Sequence, residues 1–93
     1  MIHLEQRTAP EIAEEIASRV RQRRKEQHFT QKEMAKRAGM SFASYKRFEQ
    51  QHEIAFSSLI KIAIALDFEN DFDKLFATPH FSTIEELIAS EKN

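Results

Sequence analysis

Glycine occurs once in the 93 residues and proline twice, while cysteine and tryptophan do not occur at all. Without cysteine there can be no disulfide frame, no zinc-thiolate site and no thiol nucleophile, a composition that fits a reducing cytosol. A single glycine cannot supply the bare-backbone loop that cradles a phosphate. No run approaches eighteen apolar residues, and MIHLEQRTAP lacks the basic and apolar blocks of a secretory signal, so a cytoplasmic chain with no membrane partner is expected. His3, His28, His52 and His80 are scattered without ligand spacing, which excludes an obvious metal site. The neighbours Glu14 and Glu15, and likewise Glu85 and Glu86, point to different sides of a helix rather than converging on a substrate. No cofactor, no catalytic residue and no enzymatic activity are expected. The length allows one domain with one modest core and no deep cavity.

An excess of charge is also missing, since the formal net charge is only -1. The distribution matters more than the sum. Residues 19 to 47 hold ten basic residues against Glu26 and Glu33, a local net of +8, while residues 1 to 18 and 48 to 93 are acidic, at -3 and -6. A basic stripe within one third of a small domain is the footprint of a nucleic-acid face. A solvated helix surface would look the same, and what distinguishes the two is what the stripe coincides with.

It coincides with TQKEMAKRAGMSFASYKRFEQ, residues 30 to 50. Thr30 and Glu33 have capping-box spacing, so the hydroxyl and the carboxylate each satisfy a backbone N–H at a helix start near Gln31. The one glycine, Gly39, falls where that helix must stop and the chain reverse, a place that favours positive φ. Ser41 then caps a second helix. Within it Tyr45 and Phe48 stand three apart and, with Met34, Ala35 and Ala38, form the inward face. Phe42, Ala43, Lys46, Arg47 and Gln50 lie on the outward face.

The flanking segments are helical too. Thr8 and Glu11 repeat the capping-box spacing, with Pro10 in the first turn, and predict a helix from about Ala9 to Gln27. Its buried stripe is Ile12, Ala13, Ile16, Ala17 and Val20. His28 occupies a helix-ending, left-handed position and Phe29 belongs to the core. QHEIA reads as a loop, and FSSLIKIAIAL as a helix whose Phe56, Leu59, Ile60, Ala63, Ile64 and Leu66 form the hub of the core. Asn70 or Asp71 caps a short fifth helix, DFDKLF, that offers Phe72, Leu75 and Phe76 to the same core. A last short helix within residues 82 to 90 starts from serine and threonine caps, with Ile84, Leu87 and Ile88 on one face. Nothing alternates with a period of two, so the class is all-α.

The central stretch resembles the helix-turn-helix of the phage repressor and Cro family, also called the Xre family of bacterial regulators. Thr30, Gln31, Met34, Ala35, Gly39, Ser41, Ser44, Tyr45, Phe48 and Glu49 fall in register, followed by LIKIAIAL, and the likeness covers about residues 12 to 76. It implies a compact five-helix, lambda-repressor-like domain over residues 9–76, with an arm at 1–8 and an extension with a short helix at 77–93. It further implies a repressor that binds double-stranded DNA in the major groove as a homodimer. The DNA-binding residues would be Arg24, Thr30, Gln31, Ser41, Phe42, Ala43, Ser44, Lys46, Arg47 and Gln50. In that scheme Gln31 meets the DNA backbone and braces the reading helix, and Ser44 binds phosphate. Arg47 reads a base or holds a phosphate. Phe42 covers a thymine methyl group or packs against Met40. Arg24 and Glu49 match a surface salt bridge that orients the reading helix.

The loop QQHEIA departs from the family pattern, because it lacks an Asn-Gly turn and basic residues. The tail's apolar residues Phe81, Ile84, Leu87 and Ile88 serve either a dimer or partner contact or packing on their own domain. The chain is also similar to antitoxins of toxin-antitoxin operons, which implies a kinase-type toxin as an alternative partner, with DNA binding for autoregulation. A third reading is an interaction domain that has lost DNA binding. RNA is disfavoured, since no aromatic sheet platform is present.

Overall fold

The computed structural model describes residues 6–80 and 84–91. Those residues form α1 (Ala9–Glu26), α2 (Gln31–Ala38), α3 (Phe42–Gln51), α4 (Phe56–Leu66), a 3-10 segment (Glu69–Lys74) and α5 (Ile84–Glu91), with no strand among them. The all-α, five-helix expectation with a short C-terminal helix therefore holds in outline. Residues 1 to 5, Phe81, the expected caps Ser82 and Thr83, and the side chain of Leu87 lie outside the described residues.

The helix boundaries follow from local chemistry. At α2 the capping box is complete: the Glu33 N–H donates to the Thr30 hydroxyl at 3.1 Å, and the Thr30 N–H donates to the Glu33 carboxylate at 3.1 Å. Those backbone and side-chain bonds to Thr30 hold the Glu33 carboxyl below its usual range. At α1 only half of the box forms. The Glu11 N–H donates to the Thr8 hydroxyl, but the Glu11 carboxylate accepts a hydrogen bond from the threonine hydroxyl rather than from a backbone N–H.

Three helices end in the same way, with a residue in the left-handed region and paired backbone bonds to the last turn. Gly39 (φ 68°) closes α2, with Gly39 N–H on Lys36 and Met40 N–H on Ala35. His28 (φ 63°) closes α1 and Asp67 (φ 67°) closes α4 by the corresponding bonds. His52 (φ 64°) ends α3 with a single bond to Phe48. A chain with one glycine thus sets histidine and aspartate at the other left-handed ends of its α-helices, where short polar or imidazole side chains are tolerated best, while Phe76 (φ 57°) is left-handed after the 3-10 segment.

The core is built where α2, α3 and α4 meet and is closed by α1. Met34, Ala35 and Ala38 of α2 pack on Tyr45 and Phe48 of α3, whose rings meet edge to face at 6.2 Å. From α4 come Ile62, Ala63 and Leu66, and from α1 only Ala17 is a buried apolar residue. Two expectations are corrected here. The apolar stripe of α1 is less buried than its spacing implies: Ile12 is exposed, and Ala13, Ile16 and Val20 are half-buried. In α4 the core face runs through Leu59, Ile62, Ala63 and Leu66, so Ile62 is fully buried whereas Phe56 and Ile64 are 60% and 58% exposed. FSSLIKIAIAL is apolar almost all round, and periodicity alone cannot orient such a helix.

The expected fifth helix is also corrected. It starts earlier, at Glu69, and is wound as a 3-10 helix with Phe68 at its cap position and no side-chain cap, so neither Asn70 nor Asp71 caps it. Asn and Asp inside a six-residue segment compete for backbone groups and disfavour a regular α-turn. Phe72 packs edge to face on Phe56 at 5.8 Å, but Leu75 and Phe76 are exposed rather than core. Gln27 ties the last turn of α1 to the end of α4, its amide donating to the Leu66 carbonyl at 2.7 Å.

An added Cβ at Gly39 would meet nothing within 4 Å, so only backbone conformation opposes a larger residue there. Gly39→Ala should cost about 1–2 kcal/mol. In urea unfolding this appears as a lower midpoint with an unchanged slope, since no buried surface changes.

Candidate nucleic-acid interface

Ser41 starts α3 by accepting the Ser44 N–H at 3.0 Å, and it donates its own hydroxyl to the Ser44 Oγ at 2.8 Å. The cap fixes where α3 begins and therefore which residues face outward. Phe42, Ala43, Lys46, Arg47 and Gln50 are all exposed on the side away from Tyr45 and Phe48. Two ammonium groups lie over the Phe42 ring, Lys32 Nζ at 5.4 Å and Lys46 Nζ at 5.9 Å from its centroid. The ring and both cations share one patch at the start of α3, a cation–π arrangement. Arg47 donates to Glu53 at 2.8 Å across the turn after α3, a pair that is well exposed on both sides.

Behind the outward face stands a buried polar hub. Glu49 accepts from Arg24 Nε at 2.8 Å and Arg24 Nη2 at 3.1 Å, a bidentate pair, and from Gln31 Nε2 at 3.0 Å and the Tyr45 hydroxyl. Arg24 also donates to the Phe29 carbonyl at 2.8 Å. One carboxylate thus joins α1, α2 and α3. The expectation of a surface pair of little energy is corrected: the Arg24 and Glu49 side chains are only 9% and 4% exposed. Buried ions are retained only when paired and hydrogen-bonded, and both conditions are met.

The ionisation of the hub follows from these contacts. Burial pushes the Glu49 carboxyl upward, but hydrogen bonds from Arg24, Tyr45 and Gln31 and the guanidinium charge outweigh it, and the group sits below its ordinary range. The hydrogen bond to Glu49 likewise raises Arg24 against the opposing effect of burial. Burial first, and then its bond to Glu49, pushes the Tyr45 phenol well above its usual value, so it stays a donor.

Among residues expected at DNA, Arg24 is turned inward with its guanidinium committed to the hub. Gln31 is half-buried and braces Glu49. Thr30 and Ser41 are exposed caps, and Ser44 is engaged by Ser41. Of the remaining cations Arg23 pairs with Glu26 and Arg37 stacks over the Phe29 ring at 4.3 Å, while Arg19, Arg21, Lys25 and Lys36 are exposed. Two partners were missed in the sequence. Tyr45 and Glu49 are spaced i, i+4 on one helix and could have been paired on that ground. Glu53 on Arg47 spans an irregular turn and had no such signal. Among the described residues no group of three or more His, Asp or Glu could hold a metal ion, and no helix is long and apolar enough to cross a membrane.

Removing one partner of a buried ion pair typically costs about 3–5 kcal/mol, because the other charge is left uncompensated. Glu49→Gln should therefore lower stability by that amount at neutral pH, measured by urea unfolding. The sign with pH is fixed by the depressed carboxyl: its stabilisation is complete above the unfolded-state value near 4.3 and is lost as pH falls through the lower folded value. Wild-type melting should fall in that acidic window, and Glu49→Gln should lack that share of the fall.

No curated protein matches the chain. The family model described as helix-turn-helix matches residues 20–69, from the second half of α1 to the start of the 3-10 segment, more than half of the chain. The match spans the hub and the whole capped pair α2 and α3, and the chain belongs to the helix-turn-helix family of DNA-binding regulators of transcription.

Proposed function

We propose that the chain is a sequence-specific repressor that binds double-stranded DNA as a homodimer, with α3 in the major groove. The observation that supports this most is the outward face of α3, where Phe42, Ala43, Lys46, Arg47 and Gln50 are exposed on a helix braced from behind by Glu49. A helix of this diameter enters the major groove, where every base pair shows a distinct pattern of donors and acceptors. Arg47 reads a guanine through O6 and N7, Lys46 and Gln50 flank it, and Phe42 meets a thymine methyl group. Thr30, Gln31, Ser41, Ala43 and Ser44 line the approach to the backbone and bases, and Arg24 acts on DNA only through the orientation of α3.

The pair with Glu53 does not prevent this use of Arg47. An exposed ion pair is worth about 0–1 kcal/mol, less than the 1–3 kcal/mol of discrimination from a bidentate guanine contact. One such helix reads few base pairs, so two copies are needed, on half-sites about 34 Å apart. A second reading, in which the chain neutralises a kinase-type toxin and autoregulates its operon, draws on the exposed Ile84 and Ile88 of α5, which a partner protein would cover.

Binding to duplex DNA, followed by fluorescence anisotropy, should weaken about 10³- to 10⁵-fold between 50 and 200 mM salt if the dimer meets six to ten phosphates. Arg47→Ala should cost about 1–3 kcal/mol on the preferred sequence and relax specificity at one position. A flat salt response, or an Arg47→Ala protein that binds with unchanged affinity and preference, would overturn the proposal.

A further inference from the structure

Two features have no part in the DNA-binding face. The first is an open groove of about 510 Å³ between α1, α4 and the 3-10 segment, floored by Ile16, Val20, Leu59 and Ile62, with Phe56 and Phe72 along it. Arg19, Arg23 and Asp71 supply its charged walls. No residue of α2 or α3 lines it, so whatever fills the groove leaves the reading helix uncovered. The second feature is α5. Ile84 and Ile88 lie one turn apart on one face and are 72% and 46% exposed, with Glu85 and Glu91 exposed on the same short helix.

We propose that α5 of one copy docks in the groove of a second copy, reciprocally, and so makes the homodimer. The inference rests on the homodimer reading above and names the contact that holds it together. Three observations carry it. An eight-residue helix is below the roughly 12–15 residues that sustain a helix in water, so α5 needs a surface to lie on. Among the described side chains of α5, its own chain leaves the apolar Ile84 and Ile88 exposed. The chemistry also matches, since the apolar face of α5 suits the apolar floor and its glutamates suit the exposed Arg19 of a groove with a single acid, Arg23 being held by Glu26. Reciprocal exchange is a closed two-fold contact, which fills both grooves and covers both helices at once.

The native chain has no cysteine, so engineered pairs report the contact directly. Phe56→Cys and Ile88→Cys are made singly and together in the full 93-residue chain; Phe56 sits in the groove and is already 60% exposed, so its replacement does not open the core. Mixing the two single variants under mild oxidant should yield a disulfide-linked dimer of the two different chains, above the level of either variant alone. The double variant should link between chains rather than close on itself. Ile88→Glu should weaken self-association in sedimentation equilibrium about 10- to 100-fold. A dimeric wild type whose cysteine variants do not cross-link overturns the docking while leaving the homodimer intact. Closure within one chain also overturns it, by placing α5 in its own groove. A wild-type chain that is monomeric at all concentrations overturns both.

Discussion

The carboxylate of Glu49 is the point on which the arrangement of the first three helices depends. It is almost fully buried and takes hydrogen bonds from α1 through Arg24, from α2 through Gln31 and from its own helix through Tyr45. Apolar packing between α2 and α3 is non-directional and would tolerate a helix sliding or turning by a residue. A bidentate guanidinium on a planar carboxylate does not, because its geometry is fixed on both sides. The hub thus converts a small core of Met34, Tyr45, Phe48 and Ile62 into a body in which α3 has one orientation.

That orientation carries function. With the Tyr45, Phe48 and Glu49 side of α3 committed inward, the remaining residues of the helix face solvent together, and the Ser41 cap sets the end from which they are presented. The cations then divide by role. Arg24 is structural, Arg37 is stacked on Phe29, and Lys32 and Lys46 gather around Phe42 at the start of α3. A chain with net charge -1 can in this way present a positive face, because its acids, apart from the capping Glu33 and the buried Glu49, lie in the segments before and after the helix-turn-helix.

Much of this was legible in the residues, and for identifiable reasons. Capping spacing, one glycine at a reversal and serine at the next start are local signals, and they located α1, α2 and α3 to within a residue or so of the observed ends. The register that paired Arg24 with Glu49 was right, yet its burial was not readable, since an arginine among other arginines looks like surface. Where the signal was weak the outcome differed. α4 is too uniformly apolar to reveal that Ile62, rather than Phe56 or Ile64, faces the core. Residues 69 to 74 carry Asn and Asp, which suit caps and tight turns equally, and they wind as a 3-10 helix. The Arg47–Glu53 pair depends on the path of a turn that no periodicity describes.

The central claim is that a buried hub holds one helix so that two copies of it read a symmetric stretch of duplex DNA. Selection of bound sequences from a random duplex pool tests this most directly. The account predicts a two-fold symmetric consensus with half-sites about one helical turn apart, containing a guanine whose preference disappears with Arg47→Ala. A pool that shows no enrichment, or a consensus without symmetry, would contradict it.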